Sequence, residues 1–353
     1  MTDILSRLPG ALLPWYDAGH RDLPWRRDRE PYHIWLSEIM LQQTRVEAVK
    51  GYYARFLEAL PTIEALSRCD DDALHKLWEG LGYYSRVRNL KKAAIAIMEH
   101  HDGVFPTAFK EVLALPGIGD YTAGAIASIA FGAPEPAVDG NVLRVVARLL
   151  ADPSDIMLPA TRERVTEQLR ATYPEAGKGC RLLTQAWMEL GERVCIPNGT
   201  PHCEECPVRA LCMAHEAGAE EEYPVRSAKK PRRIEPRTVL LLFCGDRFAV
   251  RRRPDAGLLA GLWEFPSLDG EVDENGVREY LSDLGIAAGM MTPTAPAKHI
   301  FTHIEWHMSG FAVDCADRGE NDLTWVTAEE WVRDFAAPTA YRAFSKLVVE
   351  KFF

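Results

Sequence analysis

Four of the eight cysteines in this chain fall within eighteen residues, and no other feature restricts the fold as strongly. Their spacing is Cys195-x7-Cys203-x2-Cys206-x5-Cys212. Structural zinc sites usually join two short Cys/His pairs across a longer spacer, whereas four thiols on one short loop suit a [4Fe–4S] cluster. His202 and His215 keep a Cys/His zinc site open as a second interpretation, and chance clustering is a third. We predict a metal-centred loop with a mainly architectural role.

Composition places this loop in an ordinary soluble protein. The 353 residues are 47% hydrophobic and 26% charged, which is typical of two or three globular domains. The net charge of −10 excludes a protein that is basic throughout, but the charge is segregated. Residues 226–253 carry ten Lys/Arg against two Asp/Glu, so either a polyanion-binding face or a solvated linker fits. The first residues show no signal-peptide pattern, and we expect a cytoplasmic protein.

Hydrophobic periodicity divides the chain in two. Up to about residue 215, apolar residues recur at helical spacing between Gly-containing turns. A polar stretch with separate acidic and basic runs follows, which is typical of a linker. Residues 237–253 then read as two strands around a Gly-Asp turn, 298–315 as a second strand pair, and two helical segments end the chain. The sequence predicts a mostly α N-terminal region and an α+β C-terminal domain, with a boundary near residue 230.

The stretch "LPGIGDYTAG" (115–124) joins two predicted helices. A dinucleotide-binding loop would need a preceding strand and a third glycine earlier than Gly124, and a Walker loop would need Gly-Lys-Ser/Thr. A helix–hairpin–helix remains, in which Gly117 and Gly119 adopt positive φ and the backbone amides face a phosphate. Asp120 is a possible cap of the second helix. A plain interhelical turn fits the spacing equally well.

Two carboxyl groups have opposite sequence environments. Glu38 lies among Ile34, Trp35 and Leu41 on one helical face, where desolvation raises a carboxyl pKa and makes a general acid. Asp139 precedes a helix, where backbone N–H groups favour its ionised form. Such a pair is suited to splitting a glycosidic bond. An N-cap role for Asp139 and an ion pair for Glu38 are the simpler alternatives.

The hairpin, the Asp139 segment and the cysteine loop, in this order, resemble the helix–hairpin–helix DNA glycosylases that carry an iron–sulfur cluster. "LPWRRDREPYHIWLSEIMLQQTRV", "WEGLGYYSRVRNL" and "PGIGDYTAGAIASIA" are most similar to the members of that family that remove adenine. The resemblance covers roughly residues 10–215. It implies a monomer that acts on double-stranded DNA containing adenine opposite 8-oxoguanine or guanine, in the cytoplasm at the bacterial nucleoid.

The resemblance also implies roles for individual residues. Glu38 would protonate adenine at N7, and Asp139 would stabilise the cationic sugar, directly or as a transient covalent adduct. Tyr121 and Asn141 would line the same pocket and help to place Asp139 and the attacking water. Residues around the extruded adenine would be Trp25, Arg26, Leu41 and Gln185. Residues entering the duplex would be Gln43, Leu81 and Tyr83, in keeping with the physics of base flipping. Gly117 and Gly119 would present amides to a phosphate.

The C-terminal domain resembles the Nudix-like domain of the same members. A working Nudix hydrolase needs R-E-U-x-E-E-x-G-U, where U is aliphatic. "REYLSDLGI" (278–286) keeps Arg278, Glu279 and Gly285 but has Ser282 and Asp283 in place of the two glutamates. We therefore expect a lesion-recognition module without hydrolase activity. "IFTHIEW" aligns with a segment that touches 8-oxoguanine, with Thr302 and His303 in contact.

By the same resemblance, the domains are residues 1–28 with 138–222 (iron–sulfur cluster domain), 29–137 (six-helix domain with the hairpin), 223–236 (linker) and 237–353 (Nudix-like recognition domain). Two departures stand out. The first cysteine gap has seven residues instead of six, which predicts a bulge around "PNG". Thr302 replaces a serine, and its extra methyl can alter mismatch selectivity.

Three rival functions remain open. Bifunctional glycosylase/lyases of the endonuclease III kind place a lysine two residues after the second hairpin glycine. Here that residue is Tyr121, which cannot form an imine, so we expect water to be the nucleophile. The other rivals are a nucleotide-pool Nudix hydrolase and a DNA-binding module that has lost catalysis.

Overall fold

The computed structural model describes residues 2–228 and 231–352. The chain forms two compact units: the first runs up to Arg68 and resumes with Asn89–Ala228, and the second combines Cys69–Arg88 with the chain after Ala228. Lys229 and Lys230 of the predicted linker lie outside the described residues, and the first strand already begins at Arg233. Among the described residues, no helix is long and apolar enough to cross a membrane.

The chain up to residue 216 is helical, as its periodicity predicts. Its helices are α1 (Thr2–Gly19), α2 (Pro31–Leu41), α3 (Val46–Ala59), α4 (Ile63–Arg68), α5 (Asp71–Leu77), α6 (Ser85–His100), α7 (Phe109–Ala114), α8 (Asp120–Ile129), α9 (Gly140–Leu150), α10 (Pro159–Arg170), α11 (Lys178–Arg193) and α12 (Met213–Glu216). Single 3-10 turns lie at Pro24–Arg26, Cys203–Glu205 and Arg209–Leu211. Helix α5 and the first residues of α6 belong to the second unit.

The apolar face of α9 organises the core around the cysteine loop. Val142, Val145 and Val146 are buried together with leucines of α1 and α11 in one cluster. Partly buried side chains of Cys195, Cys206 and Cys212 pack against this cluster. The cysteine loop is therefore built onto the same helix whose N-terminus begins after Asp139.

The segment that precedes Asp139 packs closely against the backbone of helix α8. Residues 122–129 of α8 are all buried. At Gly124 an added Cβ would lie 2.4 Å from the carbonyl oxygen of Pro136, so no side chain fits there. This close approach holds the segment leading to Asp139 against the helix that carries Tyr121.

The second unit contains an eight-stranded sheet. The strands are β1 (Arg233–Cys244), β2 (Arg247–Arg252), β3 (Trp263–Glu264), β4 (Ser267–Asp269), β5 (Ala288–Pro293), β6 (Ala297–Ile300), β7 (Ile304–Cys315) and β8 (Thr324–Val326). The helices are α13 (Glu274–Asp283), α14 (Ala328–Asp334) and α15 (Arg342–Phe352), with a 3-10 turn at Thr339–Tyr341. The strand order is β3-β2-β1-β7-β5, with β4 on β1, β6 on β7 and β8 on β2.

Strands β1 and β7 run parallel at the centre of this sheet, from the pair Arg233↔Ile304 to the pair Phe243↔Asp314. Alternate β1 residues enter two cores: Val239 and Leu241 pack with Trp306, whereas Leu240 and Leu242 pack with α13. The predicted hairpin around the Gly-Asp turn is present, since Phe243 pairs with Phe248. The mostly α and α+β fold class is thus confirmed.

Candidate active site

Glu38 lies on α2, whose residues from Ile34 to Met40 are all buried. Its side chain is buried among these apolar neighbours, and only 4% of the residue is exposed. Burial raises the pKa of Glu38 from 4.5 to about 7; a hydrogen bond from Tyr121 opposes this rise, the negative charge of Asp139 adds to it, and Arg26 opposes it. At neutral pH a substantial fraction of Glu38 therefore holds a proton.

Asp139 is the N-cap of α9. One carboxylate oxygen accepts hydrogen bonds from the backbone N–H groups of Asn141 (2.9 Å) and Val142 (2.8 Å). The other accepts from Nδ2 of Asn141 at 2.7 Å. These contacts fix the orientation of the carboxylate, so the N-cap interpretation holds, and it does not exclude a chemical role.

Tyr121 connects α8 to this pair. Its hydroxyl donates a hydrogen bond of 2.7 Å to Oε2 of Glu38. Burial and the two carboxylates raise the pKa of Tyr121 well above 10, so the phenol stays protonated and acts as a donor. The structure thus brings together Glu38, Tyr121, Asp139 and Asn141, which sequence reasoning took from three separate segments.

These four side chains line one cavity of about 720 Å³ in the first unit. The same cavity is lined by every first-unit residue that was predicted to surround the extruded base or to enter the duplex: Trp25, Arg26, Leu41, Gln43 and Gln185. Its lining combines apolar and polar side chains, and its volume accommodates a nucleotide base with its sugar.

A buried ion-pair network that includes Arg21 and Arg26, which line this cavity, was not predicted from the sequence. Glu189 is completely buried and accepts hydrogen bonds from Arg21 (2.8 and 2.9 Å) and Arg26 (2.8 Å). Glu192 accepts from Arg21 at 2.6 Å. Contacts with both arginines outweigh the effect of burial and lower the pKa of Glu189 to about 2. Its only sequence signal is an acidic residue within an otherwise apolar stretch of α11.

The four clustered cysteines line a single small cavity in the first unit, of about 30 Å³, together with Arg148, His215 and Glu220. Burial raises the pKa of Cys203 to about 11 and that of Cys206 to about 12, and the neighbouring thiols add to both. Thiols this close together at a buried point fit a group that binds them as thiolates. The donor set suits an iron–sulfur cluster.

One histidine, His215, lies beside the cysteine cavity. His215 Nδ1 lies 2.5 Å from Oε1 of Glu220, and Sγ of Cys203 lies 3.7 Å from the same oxygen. These three residues alone among those described form a group with ligand atoms within 4.8 Å of one another. His202 does not line the cavity. Four thiols lining one cavity suit a cluster, whereas the group of Cys203, His215 and Glu220 leaves a Cys/His zinc site open.

A chain of hydrogen bonds runs from the cysteine loop to Asp139. Arg144, 1% exposed, donates from Nε to the carbonyl oxygen of Cys195 at 2.9 Å and from Nη1 to Oδ1 of Asn141 at 3.0 Å. Asn141 in turn donates to Asp139. The loop thereby helps to orient the carboxylate, a link that sequence reasoning missed although a buried arginine on an apolar helix signals it.

The hairpin differs in detail from the sequence expectation. Gly117 has φ of +76°, and an added Cβ would lie 2.5 Å from Cβ of Asn89, so glycine is required there. Gly119 has φ of −99° and is the N-cap of α8, and the expectation of a positive φ there was wrong. Asp120 is the first helical residue and does not cap the helix, because the chain turns one residue earlier. The first amides of α8 follow Gly119 without a side chain over them, an arrangement suited to a phosphate.

A second cavity, of about 430 Å³, lies within the second unit. Tyr83, Thr302 and His303 line it, and the hydroxyls of Tyr83 and Thr302 are 3.4 Å apart. Leu81 does not line it, and its side chain is only 7% exposed. Tyr83 (φ 47°) in this unit and Gln43 (φ 56°) in the first both hold a left-handed backbone, which is costly for such residues and recurs at functional sites.

The degraded Nudix segment lies on α13 and the turn after it. Glu279, Ser282 and Asp283 are exposed, and Arg278 pairs with Glu274 at 2.6 Å. Within the described part of the second unit, no three potential metal ligands converge. Of the three positions, Glu279 and Asp283 carry a carboxylate and Ser282 does not.

Comparisons with known proteins agree with this architecture. Residues 36–174 match the HhH-GPD superfamily of base excision DNA repair proteins, and residues 238–347 match the NUDIX domain. The structure of a thermostable thymine-DNA glycosylase superposes with a TM-score of 0.55 at 28% identity, over 61% of this chain and 98% of that one. A non-covalent endonuclease III–DNA complex has the same fold, at a TM-score of 0.52 and 22% identity, over 62% of this chain and 98% of that one. Fold, hairpin and pocket define a helix–hairpin–helix base-excision DNA glycosylase.

Similar proteins of known activity show which kind of DNA glycosylase this chain is. The human adenine DNA glycosylase is 35% identical over 91% of this chain and 70% of its own length. The rat enzyme is 33% identical over 96% of this chain and 77% of its own length. The enzyme of Buchnera aphidicola subsp. Baizongia pistaciae is 29% identical over 84% of this chain and 83% of its own length. This chain belongs to the adenine DNA glycosylase family and is a DNA N-glycosylase.

Proposed function

We propose that this enzyme hydrolyses the N-glycosidic bond of adenine mispaired with 8-oxoguanine or guanine in duplex DNA, after flipping the adenine out of the helix. The observation that carries the proposal is the pairing of Glu38, which burial keeps partly protonated, with Asp139, whose side-chain oxygens accept hydrogen bonds from three N–H donors. Both face one cavity large enough for an extruded nucleotide.

The two carboxyl groups have different roles in the reaction: one is a general acid and the other stabilises positive charge. Glu38 donates its proton to N7 of adenine, which turns the base into a better leaving group. As the glycosidic bond breaks, Asp139 stabilises the positive charge that develops on the sugar, directly or through a transient covalent adduct. Asn141 is a positioning residue, because its side chain holds one oxygen of Asp139 while Arg144 holds its own amide oxygen. Water then adds to the sugar and leaves an abasic site.

The rate of base release should depend on the protonation of Glu38. Since the acid form is needed and the pKa of Glu38 is raised to about 7, single-turnover release should be flat at low pH and fall about ten-fold per unit well above pH 7. Tyr121→Phe removes a hydrogen bond that lowers this pKa, so the midpoint should move to higher pH. A profile between pH 5 and 9 that stays flat, or that Tyr121→Phe leaves unmoved, would contradict this role.

The proposal includes a monofunctional outcome, supported by the phenol at Tyr121, which has no amine to form an imine. The test is product analysis on a duplex with adenine opposite 8-oxoguanine. We expect free adenine and a strand that breaks only after hot alkali. Efficient borohydride trapping of a covalent enzyme–DNA complex at the rate of base release would instead support a lyase, and absence of free adenine would refute the proposed function.

The remaining parts of the proposal concern recognition and support. A [4Fe–4S] cluster on Cys195, Cys203, Cys206 and Cys212 would crosslink the loop that Arg144 ties to Asn141, without taking part in a bond-breaking step. Thr302 and His303, with Tyr83, would contact 8-oxoguanine, and Gln43 and Leu81 would enter the duplex. Gly117 and Gly119 would present the hairpin to a phosphate. The same proposal covers the fourfold domain division given above, a monomeric state and a cytoplasmic, nucleoid-associated location.

A further inference from the structure

The long first gap of the cysteine loop places an additional polar group in the base pocket. We infer that Asn198 reads the exocyclic amine and the adjacent ring nitrogen of the extruded adenine. This inference rests on the proposed function and deepens it. It assigns a specificity contact to a residue that the bulge "PNG" brings to the cavity.

The bulge is held at both ends. At the near end, Cys195 N donates to the carbonyl oxygen of Leu190 at 2.8 Å. The carbonyl oxygen of the next residue, Ile196, accepts from Nη1 of Arg148 at 2.9 Å. On the far side, His202 N donates to the carbonyl oxygen of Val194 at 2.9 Å. The four residues 197–200 between these anchors form a bend, which Gly199 turns with φ of +74°. The backbone that carries Asn198, an exposed residue, is therefore anchored on both sides of the bend.

Pro197 and Asn198 both line the 720 Å³ cavity that contains Glu38 and Asp139. They continue a wall that one face of α11 supplies through Gln185, Met188 and Glu192. The spacing of these three residues is helical, so the wall is continuous from α11 into the loop. The loop that would hold the cluster and the wall of the base pocket are thus one segment of chain.

The other polar groups of this wall are already engaged. Gln185 accepts from the hydroxyl of Tyr16 at 2.9 Å and donates to the carbonyl oxygen of Arg181 at 3.3 Å. Arg21 and Glu192 bond to each other, and Arg21 also bonds to Glu189. Among the described residues, the carboxamide of Asn198 makes no hydrogen bond. It is therefore the group on this wall whose donor and acceptor both remain for a ligand.

A carboxamide is matched to adenine. Its oxygen accepts from the exocyclic amine while its NH₂ donates to N1, the ring nitrogen beside that amine on the Watson–Crick edge, which leaves N7 to Glu38. A purine without the amine would lose the accepting half of this contact. Asn198 should therefore contribute to the release of adenine and contribute little to the release of unsubstituted purine.

The test compares wild type with Asn198→Ala in single-turnover release of adenine and of purine, each placed opposite 8-oxoguanine. We expect Asn198→Ala to slow adenine release about ten-fold and purine release less than about two-fold. His202→Ala, an exposed side chain of the same loop that does not line the cavity, is the matched control and should match wild type on both substrates. Iron content per chain should be equal in all three proteins.

Each other outcome overturns the inference. Equal slowing on both substrates would mean that Asn198 contacts the sugar or phosphate, and an unchanged adenine rate would mean that it touches no substrate. Lower iron content in Asn198→Ala would mean that it acts through the loop. If wild type releases no adenine, the proposed function itself fails, which is a distinct result.

Discussion

Replacing Glu38 with glutamine is expected to slow adenine release by about 10²–10⁴-fold while duplex binding persists. Glutamine has nearly the same shape and can still accept the hydrogen bond of 2.7 Å that Tyr121 donates to Glu38, but it has no proton to transfer to adenine. Single-turnover release and equilibrium binding to the same mispaired duplex measure the two effects separately.

The stability of this variant provides an internal check. Folding raises the pKa of Glu38 from 4.5 to about 7, so the ionised carboxyl destabilises the fold as pH rises through this interval. Glu38→Gln should therefore be at least as stable as wild type at pH 8. The control is Glu47→Gln, an exposed member of a pair with Lys50, which should leave release unchanged. Unchanged release by Glu38→Gln would show that another group is the acid.

Asp139→Asn should lower adenine release by about 10²–10³-fold or more, because the group facing the developing sugar cation loses its charge. Asparagine is as good an N-cap as aspartate, and it can still accept from the N–H groups of Asn141 and Val142, but its NH₂ cannot accept the hydrogen bond that Nδ2 of Asn141 donates to Asp139. The free energy of unfolding should thus fall by about 1 kcal/mol, the contribution of one hydrogen bond. Release assays and thermal unfolding on one preparation test both statements.

A matched control exists in the second unit. Asp273 is the N-cap of α13, where it accepts one hydrogen bond from Gly276 N, and it does not line the pocket. Asp273→Asn should therefore reproduce any capping cost and leave the release rate intact. If both variants lose activity equally, the loss at Asp139 is structural and the electrostatic role is wrong.

The sequence predicted the site where one local signal was sufficient. Glu38 was identifiable because its apolar neighbours on α2 share its helical face, and Asp139 because it precedes a helix. Gly117 was predicted correctly from the need for a positive φ, whereas Gly119 was not, because spacing alone cannot show which glycine makes the turn.

The supporting contacts were beyond sequence reasoning because their partners are distant along the chain. Arg21 and Glu189 are 168 residues apart, and Arg144 reaches Cys195 across 51. The seven-residue gap predicted a bulge, but only the packing of the loop beside α11 shows that Asn198 lines the base pocket. Local periodicity fixes helices and caps, whereas the pairing of distant charged groups follows from tertiary packing.

The most direct measurement of the central claim is single-turnover adenine release from four duplexes that differ only in the base opposite adenine. The account predicts release opposite 8-oxoguanine and guanine, and none above background opposite cytosine or thymine. Release that is indifferent to the opposing base, or confined to properly paired adenine, would contradict it.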